Sequence, residues 1–195
     1  MVSGGRLPTP ILFVCDIQTA FAPAIHNFPA VVSTATKLLR AASTLHIPVF
    51  VTTQNAARLG QTVPELPIKT ALGVYDKTAF SMMVPELRDA LQREGAKCSV
   101  AITGIETHIC VTQTALDLLR AGHKVYIMAD GVSSCNKQEI GVALDRLSRE
   151  GAVVTTSESW IYEVMGNARI PEFKKVSELV KERKEDTKKA LEALL

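Results

Sequence analysis

Three side chains of unlike chemistry stand just beyond apolar, strand-like runs of the chain. They are a carboxylate, Asp16 in "FVCDIQTAF", an ammonium, Lys77 in "YDKTAFS", and a thiol, Cys110 in "GIETHICV". A thiol becomes a useful nucleophile when a base removes its proton and a nearby cation steadies the thiolate. In that scheme Asp16 takes the proton and later returns it to a leaving amine, Lys77 holds Asp16 and favours the thiolate, and Cys110 attacks a carbonyl carbon. The thioester is then hydrolysed by a water that the same Asp activates. Backbone N–H groups of the turn from Ile105 and Glu106 to Cys110 could bind the developing oxyanion. Cys110 also opens a helical pattern, where unpaired N–H groups and the helix dipole favour an anion.

Each part has a plainer explanation. An unreactive cysteine is a small apolar core residue. An aspartate that ends a strand often caps the next turn, and a lone lysine is usually a surface residue. His108 suggests a Cys–His pair, but a histidine at a helix start is more often a local hydrogen-bonding group. Gln18 and Phe21 face the candidate pocket if "DIQTAF" turns away from its strand, and core packing explains Phe21 as well. Gln54 opens "QNAARLGQ", a candidate substrate loop. His26 lies in an unrelated context, and His46 and His123 sit beside helix ends, where a positive side chain is favourable.

The elements that must position these groups are legible in the apolar pattern. Residues 11–15, 48–53, 98–104, 124–130 and 152–156 are continuous apolar runs, as in strands buried on both faces of a parallel sheet. Helical patterns lie between them at about 28–45, 83–94, 110–121 and 136–150, each closed by a turn signal at Pro48, Gly95, Gly122 or Gly151. This alternation predicts a doubly wound α/β fold. Residues 75–81 could add a short sixth strand or an extended loop. Residues 172–195 read as one helix with an apolar stripe of Phe173, Val176, Val180, Thr187, Leu191 and Leu194, a surface for docking that another subunit could use. In such sheets ligands sit outside the carboxyl ends of the strands, so Asp16, Lys77 and Cys110 are expected on one rim.

At 195 residues the chain is read as one domain, 1–195, with residues 1–10 as a flexible lead-in. No apolar run approaches the length of a membrane span, and the N-terminal residues lack the apolar core of a secretory signal. The cytoplasm is the expected compartment, with a mitochondrial address left open. A net charge of +2 is too close to neutral to imply a polyanionic partner. The four cysteines, Cys15, Cys98, Cys110 and Cys135, show no metal-ligand or redox-pair spacing, and free thiols in a reducing compartment are expected.

Taken together, "FVCDIQTAF", "KTAFS", "GIETHICV" followed by "TALDLLRAGHKVYIMAD" and "SS", and "REGAVVTTSESWI" resemble the isochorismatase-like cysteine hydrolase family. The similarity covers about residues 11–180 and is closest to the isochorismatase domain-containing branch, which also carries a segment like "TVPEL" at 62–66. The resemblance implies a parallel sheet of about six strands with helices on both faces and a catalytic triad of Asp16, Lys77 and Cys110. It further implies a non-proline cis peptide at Ile105–Glu106 and assembly into a homo-oligomer. Nicotinamidase members carry a metal-binding Asp/His cluster after the second strand, but residues 52–66 here contain neither residue, so no metal or other cofactor is expected. Glu106 replaces the usual small residue, which narrows or charges the pocket.

Three functions compete. The first is a cysteine hydrolase acting on a small amide-like carbonyl substrate through a thioester. The second is a binding or scaffold protein that keeps the fold with little catalysis. The third is nucleic-acid processing, a label attached to some relatives of this branch. It finds support in a pI of about 8.3. Against it stands the C-terminal segment, whose seven Lys/Arg nearly balance six Asp/Glu.

Overall fold

The computed structural model describes residues 5–95 and 97–195. Six strands form one fully parallel sheet: β1 (Pro10–Cys15), β2 (Val49–Gln54), β3 (Gly73–Lys77), β4 (Ser99–Ile105), β5 (Lys124–Ser133) and β6 (Val153–Thr155). Their spatial order is β3-β2-β1-β4-β5-β6. The sheet grows outward in both directions from β1 and β4, so the chain reverses its winding between these two strands. In open α/β sheets the crevice at that switch point is where ligands bind.

Among the described residues five α-helices lie between strands, α1 (Phe28–Thr44), α2 (Ala56–Leu59), α3 (Pro85–Glu94), α4 (Thr112–Arg120) and α5 (Lys137–Arg149), and three follow β6, α6 (Ser157–Met165), α7 (Phe173–Glu182) and α8 (Lys184–Leu194). Every residue of β1 is buried, and successive side chains serve opposite faces. Leu12 and Val14 join a core with residues of α1, α6, α7 and α8, whereas Ile11, Phe13 and Cys15 join one with residues of α3, α4 and α5. Continuous apolar runs therefore arise because both faces of the central strands are covered. The fold class is the one expected: a parallel six-stranded α/β sheet flanked by helices.

Several local expectations are corrected. The sixth strand is β3, confined to Gly73–Lys77, and it forms the sheet edge beside β2. Residues 172–195 are two helices that divide at Arg183. Their apolar stripe is used within the chain: α8 packs on α1 and β5, and α7 on α1. Val176, Leu179, Ala190 and Leu194 are buried there. The lead-in expected over 1–10 is only partly described, since residues 1–4 lie outside the described residues. Leu7 is buried in the core and Pro10 begins β1. His123 is no cation at a helix end. Burial lowers its pKa, and Nδ1 accepts from the Cys98 backbone N–H at 3.1 Å.

One buried charge was invisible in the linear pattern. Lys37 of α1 is 2 % exposed, lies 3.9 Å from Asp130 and donates to Thr187 Oγ1 of α8 at 2.8 Å. Asp130 also accepts from the backbone N–H of Ser157 at 2.7 Å, which ties the start of α6 to β5. Among the described residues, no helix is long and apolar enough to cross a membrane.

Candidate active site

Asp16 follows β1 in a left-handed conformation, φ 55°, and is 1 % exposed. Both carboxylate oxygens are engaged. Oδ1 accepts from Thr52 Oγ1 at 2.8 Å. Oδ2 accepts from Lys77 Nζ at 2.7 Å and from Cys15 Sγ at 3.4 Å. A carboxylate held by an ammonium and a hydroxyl at these distances is rigid and oriented.

Lys77 is delivered by the edge strand. Along β3 the side chains alternate, Val74 and Asp76 facing solvent and Tyr75 and Lys77 turning in, which sends the lysine over the end of β2. Its side chain is fully buried in the pair with Asp16. Nζ also donates to Gln54 Oε1 at 2.7 Å and to the carbonyls of Ala79 at 3.2 Å and Phe80 at 3.0 Å. Burial disfavours the ammonium, but the neighbouring charges of Cys15, Asp16 and Cys110 outweigh it, and the net direction of the Lys77 pKa is upward. The cation is a fixed feature of the site.

Cys110 is 6 % exposed and lies within a π-helical turn, Thr107–Val111, that leads into α4. The sequence pattern placed it at the first position of a regular helix. The wider turn instead begins at Thr107, and π turns of this kind recur at functional sites. Thr112 Oγ1 donates to the Thr107 carbonyl at 2.6 Å and Thr114 Oγ1 to the Cys110 carbonyl at 2.7 Å, which fastens the turn from both sides. The cis bond expected at Ile105–Glu106 is not present: there is no cis peptide among the described residues. Glu106 redirects the chain through a left-handed conformation at φ 53°.

Gly104 brings the two halves together. It pairs with Cys15 across β1 and β4 and has φ +149°. A Cβ at this position would stand 2.2 Å from the Cys15 carbonyl oxygen, so only glycine lets the strand ends approach so closely. Cys15 fills the resulting gap. A hydrogen bond with Cys110, full burial and the Asp16 charge all push the Cys15 thiol well above its ordinary pKa, in that order. Cys15 was read only as a strand residue. Its contact with Cys110 depends on strand register, which single-strand periodicity does not reveal.

The remaining expected residues divide. Gln18 is fully buried and clamps the loop after β2: Nε2 donates to the carbonyls of Gln54 at 3.1 Å and Gly60 at 2.7 Å, and Oε1 accepts from the Gln54 N–H at 2.7 Å. Gln54 reaches Lys77, as given above, and its Nε2 donates to the Thr78 carbonyl at 3.0 Å. Phe21 is half-buried and packs on the α1 side of the core. His108 Nδ1 lies 3.0 Å from Ser134 Oγ and 3.4 Å from Glu106 Oε2. Thr52 was missed, because a threonine inside an apolar strand carries no signal of its own. A separate cavity of about 610 Å³, lined by Leu39, Arg40, Glu65 and Lys69, contains none of the three central residues.

A parallel sheet with a buried Asp–Lys pair and a cysteine at its switch point defines an isochorismatase-type α/β fold. The chain belongs to the isochorismatase family: residues 10–159 match the family model described as the isochorismatase domain. It is 42 % identical over 172 residues to isochorismatase domain-containing protein 2 of Xenopus laevis, with 88 % of this chain and 83 % of that protein covered. It is 41 % identical over 181 residues to isochorismatase domain-containing protein 1 of Salmo salar, with 92 % of this chain covered. This chain spans only 64 % of the length of that salmon relative. A structure of MAR1 ribonuclease from Caenorhabditis elegans superposes with a TM-score of 0.83 at 40 % identity, covering 89 % of this chain and 91 % of that one.

Proposed function

We propose that the protein is a thiol hydrolase acting on a small amide or related carbonyl compound, with Cys110 as nucleophile, Asp16 as proton acceptor and donor, and Lys77 as the group that holds Asp16 in place. The observation that carries this reading is the fully buried Lys77–Asp16 pair at 2.7 Å, set against the turn that bears Cys110. An ion pair taken wholly out of water contributes little to stability relative to apolar packing. Its presence at the switch point therefore favours a chemical role.

In the reaction the Cys110 thiol gives its proton to an Asp16 oxygen and the sulfur attacks the carbonyl carbon. In this scheme backbone N–H groups of the turn from Ile105 and Glu106 to Cys110 would bind the developing oxyanion. As the C–N bond breaks, Asp16 returns the proton to the leaving amine, leaving a thioester on Cys110. A water then loses a proton to Asp16 and attacks the thioester, and the proton returns to the sulfur as the acid departs. Because Asp16 is paired with Cys15 in the free protein, substrate entry must turn Cys110 towards the carboxylate. Such hydrogen bonds commonly tighten only when substrate is bound. Gln18, Phe21, Gln54 and His108 border the space this substrate would use, with Gln18 and Gln54 acting by positioning the loop and Lys77.

The test is turnover of a panel of small carboxamides, with intact-protein mass spectrometry after rapid quenching. A hydrolysed amide, an acyl adduct mapped to Cys110, and loss of both in Cys110→Ala and Asp16→Asn support the reading. Turnover retained in Cys110→Ala overturns it. The name of the nematode relative motivates a second reading, cleavage of RNA, and labelled RNA belongs in the same panel. The near-neutral charge of +2 does not favour that substrate.

Two broader properties complete the proposal. The four thiols are all free, which suits a reducing compartment such as the cytoplasm. Self-association uses the exposed edge at β3, where Leu72, Val74 and Phe80 are 57 %, 49 % and 52 % exposed, since the C-terminal stripe packs largely against its own chain. An edge strand also offers unpaired backbone groups to a second copy.

A further inference from the structure

A second cluster of reactive side chains lies beside the candidate site, and none of its side chains takes a proton or forms a bond in the proposed reaction. Glu106 stands between β4 and the π turn, His108 lies within that turn, and Cys135 belongs to the loop between β5 and α5. One ligand atom from each lies within 4.8 Å of the other two. The spacing of these residues along the chain forms no metal motif. They meet because β4 and β5 are neighbours whose ends fold over the same rim.

We propose that Glu106, His108 and Cys135 form a binding site for a borderline-soft divalent cation of the Zn²⁺ type. The donor set is a carboxylate, an imidazole and a thiol, the combination that favours zinc over magnesium or calcium. In tetrahedral coordination, nitrogen and oxygen ligands about 2.0–2.1 Å from the ion are roughly 3.3 Å apart. The observed separation of His108 Nδ1 and Glu106 Oε2 is 3.4 Å, already at that edge length. Cys135 is exposed, so its side chain is free to turn inward and complete the third contact. Three protein ligands leave the fourth position for water, and the Ser134 hydroxyl, 3.0 Å from His108 Nδ1, gives up that contact when the nitrogen takes the ion.

The ion would bind as the Cys135 thiol loses its proton and as His108 presents a neutral nitrogen. Without an ion, Glu106 and His108 form an ordinary pair whose attraction depends on protonation of the imidazole. The proposal does not depend on the hydrolase reading, and its readout is a spectrum rather than turnover.

Reduced, metal-free protein is titrated with Co²⁺, which takes zinc geometries and absorbs visibly. The expected result is one equivalent bound, with tetrahedral d–d bands and a strong thiolate-to-cobalt band in the near ultraviolet, all discharged by Zn²⁺. Cys135→Ser should abolish the thiolate band, and His108→Asn and Glu106→Gln should weaken Zn²⁺ binding roughly tenfold or more. Cys110→Ala should leave the band intact. Absence of a thiolate band in the wild-type protein overturns the proposal. So does a band that survives Cys135→Ser and disappears in Cys110→Ala, which would place the ion on the other thiol. Circular dichroism of each variant verifies the fold, and Cys135→Ser, at an exposed loop position, keeps the test valid if a turn variant misfolds.

Discussion

Asp16 and Lys77 are individually costly and mutually dependent. Removing one partner of a buried pair leaves an uncompensated charge, a loss of about 3–5 kcal/mol. Lys77→Met is therefore expected to lower the unfolding free energy by about that amount, and Asp16→Asn combined with Lys77→Met to restore part of it. Urea titrations of the two single variants and the double variant check this, and additive losses would show that the pair is not coupled. The thiol of Cys15 and the ammonium of Lys77 both hold their protons more tightly in the folded chain than in the unfolded one. Their contribution to stability is fully present below the ordinary thiol value of 9.0 and is lost as pH rises through and beyond it, with Lys77 following above 10.5. The urea midpoint should hold steady up to about pH 9 and fall as pH rises beyond it, and Cys15→Ala should flatten the first part of that fall.

At the scale of elements, the site depends on how closely β1 and β4 approach. Gly104→Ala would place a methyl group 2.2 Å from the Cys15 carbonyl oxygen, a backbone atom that cannot swing aside. The strands must part, at a cost of at least about 2 kcal/mol, and the turn bearing Cys110 moves with β4. Thermal denaturation measures the loss, and the rate at which iodoacetamide labels Cys110 reports whether the turn has moved. The strands and most helices were legible in the sequence because continuous apolar runs and glycine or proline stops are local signals. The break at Arg183 was not, since both halves share the same stripe and the bend follows from packing across α1 and β5. The same limit applied to the site. Asp16, Lys77 and Cys110 could be found by their position past a strand, whereas Thr52, Cys15 and the meeting of Glu106 with Cys135 depend on which strands are neighbours.

For the molecule as a whole, the switch point gathers Asp16 and Cys110, and the edge strand supplies Lys77. If β3 also pairs with a second copy, Val74→Lys should shift the sedimentation coefficient toward the monomer without altering the far-ultraviolet spectrum. An unchanged coefficient would assign association to another face. The delivery of Lys77 from the outermost strand has one more consequence. Sheet edges open more readily than centres, and the helices and central strands can survive such an opening. As the protein is warmed, the first event felt at the centre would be the departure of the ammonium that pairs with Asp16, while spectroscopic helix content is still intact. On the proposed reaction, turnover would then be lost before structure is, with the rim of the sheet rather than its core setting the temperature at which it stops.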